Sequence, residues 1–115
     1  MPRNRPRWLD KAIDRREASR AQYKELFATV EAILFAHDPL GINFEDNTDE
    51  YDLEVGTILP RLKECRSAED VATVVHQEFV RWFDGEDTAG SIEGYRAAAN
   101  EIWSAWLASG FSTTA

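Results

Sequence analysis

From Tyr23 onward the chain sets Leu26, Phe27, Val30, Ile33 and Leu34 at intervals of three and four, and Asp38-Pro39 then closes the run. That spacing places the apolar residues on one helical face, and a residue before proline avoids the α region, so a helix ending near His37 is expected. Three more stripes follow the same period. Tyr51, Val55, Ile58, Leu59 and Leu62 form one, and Val71, Val74, Val75, Phe79 and Trp82 form the next. Ile92, Tyr95, Ala99, Ile102, Trp103 and Trp106 form the last, with Gly110 placed to end it. Alternating runs joined by hairpin dipeptides are missing, as are repeats and low-complexity tracts. The expected fold is therefore all-α, a single-domain bundle of about four helices. A chain of 115 residues can bury roughly two thirds of its unfolded surface, so one core should suffice. Leu26, Val30, Leu34, Val55, Leu59, Val75, Phe79, Trp82, Ile102 and Trp106 are expected to share it.

The ends of these elements can also be read. Trp8, Leu9 and Ala12 extend the first stripe backwards, whereas Arg16, Ser19 and Gln22 interrupt it, which gives one long first helix from about Arg7 to His37 with a weakly apolar first half. Pro60 lies inside the second stripe, cannot donate to the Gly56 carbonyl and crowds it, so the second helix should kink near Gly56 to Pro60. Ser67 with Asp70 three residues on is a short-acid capping box for a third helix reaching about Phe83, and Ser91 is a candidate cap for the last. The domain plan is a flexible basic N-terminus over 1–6, a helical bundle over 7–110 and a tail over 111–115.

Composition narrows the class of protein. With 43% apolar and 30% charged residues and four Trp, the chain is too hydrophobic to remain disordered. No apolar run approaches the roughly 20 residues that span a bilayer, and the basic start MPRNRPRWLDK lacks the apolar stretch of a signal peptide. Cys65 stands alone, which fits a reducing compartment, and a cytoplasmic location without membrane association is expected.

The formal charge of −8 is unevenly spread. Residues 1–24 hold eight bases and three acids, a local +5, and the remainder holds five bases and eighteen acids, a local −13. An acidic body repels phosphate backbones, and Asp10, Asp14 and Glu17 dilute the basic arm, so no nucleic-acid partner is expected. An arm of this kind should dock by charge on an acidic face, of its own body or of a second molecule. A straight helix would carry Trp8 about 25 Å past the Tyr23 end of the core, which favours a homodimer through the N-terminal helix, with arms exchanged.

Candidate chemistry centres on DPLGINFEDNTDEYDLEVGTIL, residues 38–59, where seven carboxylates occupy the first seventeen positions without a Lys, Arg or His. Asp49, Glu50, Asp52 and Glu54 lie at a helix start, where the dipole favours them. Calcium-loop spacing fails: a frame from Asp46 has Tyr51 at the turn-glycine position, and one from Asp84 has Ala89. His37 and His76 lack transition-metal spacing, and His37 is better placed as a helix-end cation. Glu78 falls on an apolar face, with Arg81 positioned to pair with it three residues later. Neither a catalytic set, a cofactor nor a metal is expected. The candidate binding residues are Asp46, Asp49, Glu50, Asp52 and Glu54.

The DPxG turn, the acidic loop and DEYD leading a helix, with two more helices behind, resemble a group of small bacterial helical proteins of unknown function, some encoded near toxin and immunity genes. The resemblance covers about residues 23–107; the basic arm and the proline of GTILP depart from it. It implies an all-helical bundle with an inhibitory or adaptor role and supplies no catalytic residues. The expected function is thus a protein-binding module, adaptor or immunity-like, whose acidic surface engages a basic partner rather than catalysing a reaction. The alternative is a small hydrolase or lyase that combines these carboxylates with Glu78 and a divalent metal.

Overall fold

The computed structural model describes residues 7–38, 51–83 and 85–111. The flexible N-terminus expected over 1–6 and most of the expected tail lie outside them. The chain forms α1 (Arg7–Tyr23), α2 (Glu25–His37), α3 (Asp52–Ile58), a 3-10 helix (Leu59–Glu64), α4 (Ala68–Phe83), a single turn α5 (Glu86–Ala89), a second 3-10 helix (Ile92–Tyr95) and α6 (Arg96–Ala108). Every regular element among the described residues is helical.

Four of these helices close a ring: α2 packs on α3 and α6, and α4 packs on α3 and α6. Inside it lies one apolar cluster. Phe27, Val30 and Leu34 enter from α2, Val55 and Ile58 from α3, Leu59 and Leu62 from the first 3-10 helix, Val71, Val75 and Phe79 from α4, and Ala99, Ile102 and Trp106 from α6. Phe79 is its aromatic centre, with ring centroids 5.0 Å from Tyr95, 5.6 Å from Tyr51 and 5.9 Å from Phe83. Trp82, expected in this core, is only half-buried; its indole N–H reaches the Thr57 hydroxyl at 3.1 Å, so the ring stays at the rim where its polar edge finds a partner.

The expected count of four helices gives way, among the described residues, to six α-helices and two 3-10 helices, because α1 and α5 are additional to the ring. The long first helix is two. Lys24, with φ 49° and ψ −115°, separates α1 from α2. The end at His37 stands as expected: Asp38 caps α2 in the left-handed conformation, its N–H bonded to the Leu34 carbonyl at 2.8 Å. At the kinked second helix, α3 gives way to the 3-10 helix at Leu59, with Pro60 in the first turn of the new helix, where a missing N–H costs little.

Ser67 and Asp70 cap α4 as a box. The Ser67 hydroxyl accepts the Asp70 N–H at 3.1 Å, but the Asp70 carboxylate takes the N–H of Arg66 at 2.9 Å, one residue earlier than the usual box. Ser91 does not cap with its side chain; its carbonyl instead receives the Gly94 N–H at 3.2 Å and starts the second 3-10 helix. Gly110, at φ 87°, follows the last turn of α6, where a left-handed residue ends a helix at least cost.

α1 lies outside the ring, along α3. The crossing point is Gly56, where a β-carbon would come within 2.7 Å of the Arg16 Cα. Ser19 is buried there and its hydroxyl donates to the Gly56 carbonyl at 3.0 Å. Arg16 and Ser19, which interrupt the stripe in the sequence, are therefore the residues that face α3: the Arg16 backbone rests on Gly56, which has no side chain, and the small Ser19 side chain fits beside it.

Candidate binding surface

The acidic stretch joins the body at two fastened ends. The Tyr51 ring is fully buried against Phe79, and its hydroxyl donates to the Asp38 carboxylate at 2.6 Å. The last residue before Pro39 and the first described residue beyond the loop are thereby held together. Asp46, Asp49 and Glu50 lie between them, outside the described residues. Asp52 opens α3. Glu54 is 6% exposed, turned into the fold rather than onto a surface, while its backbone carbonyl accepts the Thr57 hydroxyl at 3.1 Å. Of the five candidate binding residues, Glu54 is the one whose side chain is placed, and it adds little to an exposed acidic face.

The buried carboxylate Glu78 is committed to guanidinium groups. It is 2% exposed, and its Oε2 accepts from Arg61 Nη1 at 2.8 Å and from Arg81 Nη1 at 3.4 Å. Arg61 also donates to the Gln77 amide oxygen at 2.8 Å, so its planar fork spans two neighbouring residues of α4. Arg81 was visible from its helical spacing. Arg61 comes from seventeen residues earlier in the chain, on the 3-10 helix.

Both histidines bridge elements. His37 Nε2, at the end of α2, sits 2.6 Å from Glu101 of α6. His76 Nε2 lies 2.8 Å from the Gly90 carbonyl and 3.3 Å from the Glu86 carboxylate, with its ring 5.5 Å from that of Tyr95. Among the described residues no group of three or more His, Cys, Asp or Glu is placed to hold a metal ion.

Cys65 is buried, and burial, reinforced by Asp70 and Glu64 against the opposing effect of Arg61, pushes its thiol up to about 11. Such a thiol is a poor nucleophile at neutral pH. Tyr95 donates its hydroxyl to the Ala89 carbonyl and is pushed by burial to about 12; burial also raises Tyr23. An open groove of about 530 Å³ runs from Tyr23 and Leu26 to Ala105 and Phe111, beside the break at Lys24. Among the described residues no helix is long and apolar enough to cross a membrane.

No family model, curated protein or solved structure matches the chain.

Proposed function

We propose that the protein is a protein-binding module, an adaptor or immunity-like inhibitor acting in the cytoplasm, which presents the acidic segment to a basic partner protein and catalyses no reaction. The observation that carries this is the sequence of residues 38–59, seven carboxylates with no basic residue, of which Glu54 turns inward, with Asp38 and Tyr51 joined by a hydrogen bond. A concentrated single-sign field on a small body accelerates encounter with an oppositely charged surface and selects against acidic competitors. The hydrolase alternative needs Glu78 as an available carboxylate, whereas Glu78 accepts hydrogen bonds from two arginines. A homodimer through the N-terminal helix is part of the same proposal.

The test is affinity capture from the source organism with the wild-type chain and with the triple variant Asp46→Asn, Asp49→Asn, Glu50→Gln, at low and high salt. A stoichiometric basic protein, held by the wild type at low salt and lost with the variant, is the expected result. Recovery of the same protein by both chains, or of no basic protein by either, would contradict the proposal.

A further inference from the structure

Between Arg7 and Asp38 the chain contains neither glycine nor proline, and the stretch Arg20 to Ala28, RAQYKELFA, consists largely of good helix formers. The local sequence gives no reason for a break. Nonetheless Lys24 stands at φ 49° and ψ −115°, and α2 begins there without a side-chain cap. Those angles belong to the first central position of a type II′ turn, which glycine favours and a residue with a β-carbon adopts only under constraint.

The constraint is tertiary. Gly56 lets the α1 backbone settle on α3, and the Ser19 hydroxyl fixes the crossing on the Gly56 carbonyl. At the C-terminal end of α1, Tyr23 meets Phe111 edge-on at 5.1 Å, and Arg20 reaches across the break to lie 4.4 Å above the Phe27 ring of α2. The α1–α3 contact uses nothing that only the chain's own α3 can supply.

We propose that Lys24 is an exchange hinge: when it enters the right-handed helical conformation, α1 continues straight from α2 and covers the α3 of a second copy, whose own α1 covers the first. This rests on the homodimer named above and is independent of the basic partner. The exchanged pair repeats the Ser19–Gly56 crossing twice and relieves two strained Lys24 residues, the arrangement in which short strained hinges lead to domain swapping. A second copy is the occupant because the uncovered α3 surface is shaped for this helix: the bare Gly56 backbone leaves no room for a β-carbon beneath Arg16, and the adjacent carbonyl requires a hydroxyl donor at the position of Ser19.

The experiment is sedimentation equilibrium of the full-length chain over a dilution series, alongside Lys24→Gly. Glycine fits the folded-back hinge without strain and weakens the straight helix, so it favours the unexchanged monomer on both counts. The wild type should form a dimer that dissociates on dilution, and the variant's dimer should be at least about ten-fold weaker. A wild type that stays monomeric at every concentration overturns the homodimer and the exchange together. A dimer unchanged by Lys24→Gly overturns the exchange alone. Equal helicity of the two chains by circular dichroism shows that the comparison is between folded proteins.

Discussion

Glu78, a carboxylate only 2% exposed, must be stabilised by its neighbours rather than by water. Its two arginines are unequal: the Arg61 side chain is 30% exposed and 2.8 Å away, whereas that of Arg81 is 70% exposed and 3.4 Å away. Arg61→Ala should therefore cost about 3 kcal/mol in urea unfolding, since it leaves a buried charge poorly compensated, while Arg81→Ala should cost less than about 1 kcal/mol. Equal losses would show that the pairing is not divided in this way. Cys65 and Tyr95 supply a pH prediction. Both have folded values above their ordinary 9 and 10, at about 11 and about 12, so the folded state holds their protons longer than the unfolded chain does. Their contribution is complete below pH 9 and is lost as pH rises through 11 to 12. Thermal melts should show stability falling from about pH 9 upward, and a thiol reagent at pH 8 should label Cys65 only when denaturant is present. Rapid labelling of the native protein would contradict its burial.

The elements divide according to the range of the forces that define them. The stripes of α2, α4 and α6, the stop at Asp38 and the Ser67–Asp70 cap arise from residues within a few positions of one another, and the sequence shows each of them. Ser67→Ala should accordingly cost about 1 kcal/mol, read as a shift in the urea midpoint. The break at Lys24, the Arg61–Glu78 pair and the use of Ser19 against Gly56 depend on parts of the chain that meet only after folding. No local pattern announces them. Gly56 is the sharpest case: its nearness to Pro60 suggests a kink, whereas its missing side chain is the space that α1 occupies. Gly56→Ala should destabilise the protein by about 1 to 3 kcal/mol through overpacking at this crossing. Its effect on amide exchange should be concentrated in α1, and a loss spread evenly over α4 and α6 would show that the crossing is integral to the core.

At the scale of the molecule, a ring of α2, α3, α4 and α6 holds the apolar core, with α1 laid on its outside and the acidic segment fastened at its edge by Asp38 and Tyr51. The ring was legible because its helices are amphipathic. Of the acidic candidates, Glu54 turns inward, which its place three residues after Tyr51 and four before Ile58 signals, and which the helix-dipole argument leaves out of account. A cooperative ring with an added helix should open in two steps of different free energy. Native-state hydrogen exchange at low protein concentration measures it residue by residue. The slowest amides should lie in α2, α4 and α6 and open only with global unfolding, while those of α1 should open earlier as a separate unit; α1 amides protected as long as those of α4 would contradict this division.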